Sequence, residues 1–196
     1  MATENKIKKN IFLSASVPKP GREFYGTEDV IAIRDSVIAL ASVVLTNPQY
    51  HLIWGGHPSI TPLIALVLER YDLKMSDRVT LYQSDWFREF FPPENQDIGN
   101  RVITEKQGDV KASLELMREK MIGDNEYEAA VFIGGMDGIF DEYDLFTSKH
   151  SEVKLLPVAS TGAAARALYE KFRERFDERL LTELSYTSLF KEVLYL

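Results

Sequence analysis

The 196-residue sequence contains no cysteine, which excludes disulfides and thiolate metal sites. It has no apolar run approaching the roughly 18 residues that a membrane-spanning helix needs. It also has no block of lysine or arginine, and its formal net charge is −7, so a nucleic-acid-binding surface is not expected. Its histidines, His51, His57 and His150, show no metal-ligand spacing, and we expect no metal. These absences are typical of a cytoplasmic protein with neither membrane nor nucleic acid as a partner.

The residues that are present have the balance of a globular domain, with 45% hydrophobic and 27% charged residues. The length allows one domain with a real core, so we expect a single domain over residues 1–196. Two nucleotide motifs are missing, namely the dinucleotide fingerprint G-x-G-x-x-G and the P-loop lysine. No cofactor is therefore predicted with certainty.

Apolar runs alternate with segments of helical periodicity along most of the chain. This alternation predicts an α/β fold, a Rossmann-like three-layer sandwich with a mainly parallel central sheet, although it does not give the strand order. The predicted strands are 11–16, 51–56, 79–84, 101–104, 129–135 and 155–159. The helices are predicted to begin near residues 28, 60, 110, 138, 162 and 182, the first of them capped by Thr27.

Most predicted strands end on small or hydrogen-bonding residues that lead into a helix. Ligands of open parallel sheets bind beyond these carboxyl ends, where glycine permits close approach and a helix N-terminus favours an anion. We therefore predict a nucleotide-like site at the C-terminal edge of the sheet. Small residues also serve turn geometry alone, and that alternative stays open. The candidate ligand-binding residues are Ser14, Ser16, Arg22, Gly55, Gly56, His57, Ser84, Gly134, Gly135, Met136, Asp137, Gly138, Glu142, Ser160, Thr161 and Gly162.

One stretch, AVFIGGMDGIFDEYDLF from Ala130 to Phe146, is similar to the P-G-G-x-G-T-x-x-E segment of LOG phosphoribohydrolases. From about residue 10 to 175 the chain resembles the SLOG superfamily, and its turns look more like the uncharacterised SLOG cluster families than like LOG itself. The segment departs from the LOG pattern at Ile133, which replaces proline, and at Ile139, which replaces threonine. One extra residue also separates its glycines. The matching residues are Gly134, Gly135, Gly138 and Glu142.

The resemblance implies a protein that binds a nucleotide or NAD-derived molecule, as a sensor in bacterial stress or antiphage signalling. In LOG enzymes the glutamate matching Glu142 assists cleavage of an N-glycosidic bond, which makes Glu142 a candidate catalytic residue. The alternative function is thus a nucleotide N-glycosidic-bond hydrolase or transferase, LOG-like or deoxyribosyltransferase-like. A third is an interaction protein with a vestigial pocket. Acids at 141, 142 and 144 also complement a helix dipole without any ligand.

The tail from 182 to 196 stays apolar to its last residue, which is unusual for a free terminus. It predicts a helix that either packs on its own sheet or joins a partner. LOG-like relatives dimerise through helices flanking the sheet, which favours a homodimer or larger homo-oligomer. A sensor without a fused effector would also need an effector protein in trans. The aromatic residues Trp86, Phe87, Phe90 and Phe91 are predicted to pack in the core or an interface, or to form a lid over a base.

Overall fold

A six-stranded, fully parallel sheet forms the centre of the computed structural model, which describes residues 8–73 and 78–195. The strand order is β4-β3-β2-β1-β5-β6. Continuous apolar runs form the central strands because both faces of a parallel sheet are covered. The strands are β1 Lys9–Ser16, β2 Tyr50–Trp54, β3 Val79–Ser84, β4 Arg101–Thr104, β5 Ala129–Gly134 and β6 Lys154–Val158.

Helices cover both faces and bury two hydrophobic clusters. One cluster joins Ile33 and Ile64 to the tail residue Phe190, and the other joins Met117 and Tyr143 to the sheet. This arrangement confirms the predicted three-layer α/β fold. The helices are α1 Val30–Thr46, α2 Thr61–Arg70, α3 Val110–Gly123, α4 Gly138–Lys149, α5 Ala163–Lys171, α6 Arg179–Thr182 and α7 Tyr186–Tyr195.

Some helix boundaries differ from the sequence prediction. Asp29, not Thr27, caps α1, and its Oδ1 accepts the Ala32 N–H at 2.9 Å. The helix predicted from residue 182 begins only at Tyr186, because the short helix α6 ends at Thr182 and the chain is extended at Glu183. Within 85–108, predicted as irregular, two 3-10 segments precede β4, and the aromatic Phe90 on the first of them is 72% exposed. No helix of the described ranges is long and apolar enough to cross a membrane.

The C-terminal helix α7 packs on its own sheet, which is the first of the two predicted arrangements. Leu189, Phe190 and Leu194 are buried with α1 in the larger cluster. The Tyr50 hydroxyl donates a hydrogen bond to the Leu194 carbonyl at 2.8 Å. The apolar tail therefore completes the core of this chain.

The order of the strands places a crevice at the centre of the sheet. From β1 the chain adds β2, β3 and β4 on one side, and then places β5 and β6 on the other. Connections after β1 and after β5 leave toward opposite faces, α1 lying on one and α4 on the other. Ligands of doubly wound sheets bind where the connections diverge in this way, beyond the carboxyl ends of the strands.

Candidate functional site

The turn from β5 into α4 presents unpaired backbone donors at the central crevice. Among the described residues no hydrogen bond satisfies the N–H groups of Met136, Asp137 or Gly138, whereas the next N–H, of Ile139, bonds to the Met136 carbonyl at 3.0 Å. Three consecutive free N–H groups at the positive end of a helix attract an anion. The turn can therefore hold a phosphate or another negatively charged group.

Four of the other helices satisfy some of their first N–H groups from within the protein. Asp29 and Asp109 cap α1 and α3 with their carboxylates. The Thr61 N–H of α2 bonds to the His57 carbonyl, and two N–H groups of α5 bond to the carbonyls of Thr27 and Gly135. Asp137 stands in the cap position of α4 but makes no side-chain cap bond. The first N–H groups of α7 likewise have no bond among the described residues, so the start of α4 is distinguished by the buried Arg118–Glu142 ion pair beside its free N–H groups and not by those groups alone.

A buried ion pair lies one turn into the same helix. The Arg118 side chain, from α3, donates from Nε to Glu142 Oε1 at 3.3 Å and from Nη1 to Asp141 Oδ2 at 2.9 Å. The side chains of Arg118 and Glu142 are only 15% and 12% exposed, whereas that of Asp141 is 67% exposed. Arg118 and Glu142 thus form the charged centre of the site, and Asp141 its solvent-facing edge.

Burial dominates the titration of Glu142. It raises the pKa of the Glu142 carboxyl, and the Arg118 guanidinium and the nearby Ser14 hydroxyl only partly offset it, while Asp141 raises it further. Although the Ser14 hydroxyl lies near this carboxyl, Oε2 of Glu142 has no donor within hydrogen-bond geometry among the residues that the structure describes. A buried acceptor without a donor is costly, and a ligand hydroxyl would remove that cost.

Gly138 makes room for this pair. A Cβ built there would collide with Nη2 of Arg118, although the backbone of Gly138 has a conformation that any residue adopts. Arg118 itself was not among the residues predicted for the site. The signal was present, because Arg118 falls four residues after Leu114 and three before Met121, inside the apolar stripe of its helix.

A Gly138→Ala substitution is expected to push Arg118 off Glu142 while leaving the fold intact. Alanine suits a helix better than glycine, so any stability change should be small, within about 1 kcal/mol. Loss of a charge-assisted hydrogen bond should weaken binding of an anionic nucleotide by about tenfold. Calorimetric titration and a melting curve check both parts. Gly123→Ala on α3 is a matched control, and unchanged binding by Gly138→Ala would remove Arg118 from the site.

The two glycines before this turn are held by other small residues of the predicted site. The Gly135 N–H bonds to the Ser16 carbonyl at 2.8 Å, and the Gly134 N–H bonds to Oγ1 of Thr161 at 2.9 Å. Thr161 in turn donates to the Val158 carbonyl at 2.6 Å. Gly162 has a positive φ of 75°, and a side chain there would collide with the backbone of Thr27 and Glu28, just before α1. These contacts fix the shape of the crevice.

Other predicted residues make local contacts. His57 Nδ1 lies 2.8 Å from the Ser59 hydroxyl, and burial, with the charge of Lys19, lowers the pKa of His57 to about 4. It is therefore neutral at pH 7. The Ser84 hydroxyl accepts the Trp86 N–H, and the Ser160 hydroxyl lies 3.2 Å from that of Tyr186 on α7. Gly55 and Gly56 follow β2, where Gly55 lies near Met117 and Gly56 lies near Gln83.

The remaining predicted residue, Arg22, reaches the start of α4 from the loop after β1. Its Nη2 donates to Oδ1 of Asp137 at 2.7 Å, and both side chains are more than half exposed. The structure thus brings together Ser14, Arg22, Asp137, Gly138 and Glu142 around the turn from β5 into α4.

A groove of about 630 Å³ lies elsewhere, beside β6, between Lys154 and Leu180. Two of its polar side chains are already engaged: His150 Nε2 lies 2.8 Å from the Ile122 carbonyl, and both oxygens of Asp177 accept from Arg179. The described residues contain no group of three or more His, Asp or Glu side chains placed to hold a metal ion. The unpaired groups at the start of α4, with the buried ion pair beside them, make that turn the stronger candidate site.

Comparison with known proteins gives a family and a fold. Residues 23–194 match the model of the SLOG cluster3 family. Among solved structures the chain is similar to TM1055, a structural genomics target, with a TM-score of 0.60 and 13% sequence identity. The similarity covers 94% of this chain and 99% of that one. At such low identity it shows the fold alone. No curated protein matches the chain.

Proposed function

The chain belongs to the SLOG cluster3 family, and from that premise we propose that it binds a nucleotide or NAD-derived molecule at the start of α4. One observation carries the proposal: the free N–H groups of residues 136–138 lie beside the buried Arg118–Glu142 pair. The N–H groups suit a phosphate, and the unpaired oxygen of Glu142 suits a ribose hydroxyl. A nucleotide supplies both groups on one molecule.

We favour a sensor over an enzyme because of Ile139. LOG enzymes have a threonine at the matching position, where this chain has an isoleucine that is only 3% exposed and packs in the core. A hydroxyl of that motif is therefore replaced by an apolar side chain beneath the site. The proposed role is ligand sensing in bacterial stress or antiphage signalling within the cytoplasm, with an effector protein in trans.

The second candidate function is cleavage or transfer at a nucleotide N-glycosidic bond. The Glu142 carboxylate favours it, because a buried acid beside a cation can stabilise a developing ribosyl charge. Glu142 would be the catalytic residue and Arg118 would hold its orientation.

Thermal-shift screening of nucleotides and NAD derivatives, followed by chromatography of each hit after incubation, tests the proposal. A stabilising ligand recovered intact supports the sensor, and release of a free base supports the enzyme. Gly138→Ala should reduce the shift of a true site ligand. Failure of every anionic nucleotide to stabilise the protein would count against both functions.

We also propose that the protein is a homodimer or larger homo-oligomer. Because α7 is used within the chain, the interface would use other exposed apolar residues, such as Ile31 and Leu184, each 69% exposed. Exposed apolar patches mark interaction surfaces. Light scattering after chromatography should give at least twice the 22.4 kDa mass of one chain. A single-chain mass that persists at high protein concentration would contradict this prediction.

A further inference from the structure

The loop between β1 and α1, residues 17–27, lies against the first turn of α4, and we call it the strap. Two contacts hold its tip there. Arg22 donates to Asp137 at 2.7 Å, and the Phe24 ring stacks on the Phe140 ring with centroids 6.1 Å apart. The strap therefore ends directly beside the free N–H groups of residues 136–138.

Three residues of the strap have a left-handed backbone, and a backbone hydrogen bond holds its base. Gly21 and Gly26 have positive φ angles of 79° and 83°, with open space where a side chain would lie. Phe24, between them, has a φ of 68°, a left-handed conformation that a non-glycine residue keeps only where contacts hold it. At the base, the Thr27 carbonyl accepts the Ala163 N–H at 3.2 Å. A shift of the tip would leave this contact at the base in place.

Asp137 is the partner that can be exchanged. It does not cap α4, and its carboxylate binds Arg22 instead. Both side chains are more than half exposed, and exposed ion pairs of this kind are weak. A phosphate on the neighbouring N–H groups would carry more charge and more acceptor oxygens than the carboxylate does.

We propose that the Asp137 carboxylate competes with a bound ligand for Arg22, and this inference rests on the proposed anion site. A phosphate-bearing ligand in the α4 turn takes Arg22 from Asp137, and the strap then closes over the ligand. Ligand binding thus changes the position of the strap, which lies on the protein surface. The recognised chemistry is a phosphate or diphosphate group.

If Asp137 competes for Arg22, removing the charge of Asp137 should increase the affinity for a phosphate-bearing ligand. Asp137→Asn should release the strap in the free protein and should bind inorganic pyrophosphate several-fold more tightly than the unaltered chain. Limited trypsin digestion reports the strap, because Arg22–Glu23 is its one cleavable bond and Lys19 is protected by Pro20. Pyrophosphate affinity is measured separately by thermal shift.

Three proteins are compared with and without pyrophosphate: the unaltered chain, Asp137→Asn, and Glu170→Gln as the control. Glu170 accepts from Arg166 at 2.9 Å in an ion pair of similar exposure on α5. Asp137→Asn should be cut faster at Arg22 without pyrophosphate and be protected at several-fold lower pyrophosphate. Glu170→Gln should behave as the unaltered chain does.

Two results overturn the inference. If Asp137→Asn is cut at the unaltered rate, Asp137 does not hold the strap. If pyrophosphate stabilises the unaltered chain but leaves cleavage at Arg22 unchanged, the ligand does not take Arg22, although the anion site stands. Absence of any thermal shift in all three proteins overturns ligand exchange and the proposed anion site together.

Discussion

Replacing Glu142 with glutamine is expected to raise the melting temperature at neutral pH and to weaken ligand binding. Burial raises the pKa of Glu142 in the folded protein, and its ordinary value is 4.5. An acid with a raised folded pKa contributes stability that is fully present below the unfolded pKa and is lost as pH rises through the folded pKa. Glutamine cannot ionise, so the variant avoids this loss.

The gain should therefore depend on pH. At pH 4, below the ordinary pKa, the variant and the unaltered chain should melt at similar temperatures, and the difference should grow as pH rises above about 4.5. Melting curves at a series of pH values measure it. Glu152→Gln, at an exposed position, is the control and should show no such trend. If Glu142→Gln melts lower than the unaltered chain at pH 7, attraction to Arg118 outweighs burial.

The functional effect of the same variant separates the two proposed functions. An enzyme that uses the carboxylate to stabilise a ribosyl cation should lose turnover by roughly 10²-fold or more. A sensor should lose about 1–3 kcal/mol of binding free energy, from a weakened hydrogen bond to a ribose hydroxyl. Titration with a ligand found in the screen, together with product analysis, decides between them. If affinity is unchanged and neither protein shows turnover, Glu142 has no role in binding or catalysis and only complements the helix dipole.

A variant that gains stability and loses binding would explain why the fold carries this residue. A buried carboxylate with one unpaired oxygen costs stability, and such costs are tolerated where a ligand or a reaction needs the group. The caps of α1 and α3 show that the chain uses aspartate to satisfy helix ends elsewhere. At the start of α4, free donors and an unpaired acceptor are left within one helical turn. This local lack of partners is the physical argument for a ligand.

The sequence predicts the strands well because their signal is local. Each apolar run lies within two residues of its observed strand, and the glycine turn lies between β5 and α4 as predicted. The order of the strands could not be predicted, because alternation of strands and helices is the same for every doubly wound order. The turn motifs also predicted membership of the SLOG superfamily, and the match to the SLOG cluster3 family confirms it.

The site itself was only partly predictable. Glycine and threonine at strand ends predict either ligand contacts or turn geometry, and Thr161 and Gly162 supply turn geometry in the structure. Their partners come from distant parts of the chain, so spacing could not reveal them. The Arg118–Glu142 pair joins two helices 24 residues apart, and only the packing of α3 on α4 brings its charges together.

Truncating Phe190 to alanine is expected to be among the most damaging single changes to the fold. Its ring is fully buried in the larger cluster, although it lies near the C-terminus of the chain. Removing a buried phenylalanine side chain costs about 3–5 kcal/mol, from lost burial and the cavity left behind. For a chain of this length that corresponds to a fall in melting temperature of roughly 6 to 20 °C. Urea unfolding gives the free energy directly.

The concentration dependence of that loss shows which chain α7 stabilises. Because α7 packs on its own α1, the loss should be the same at low and high protein concentration. Phe90→Ala, which removes a phenylalanine ring that is 72% exposed, is the control and should change stability by no more than about 0.5 kcal/mol. If Phe190→Ala destabilises the protein only at concentrations where it associates, the helix stabilises the fold through a partner chain, and its packing on α1 is not what holds the monomer together.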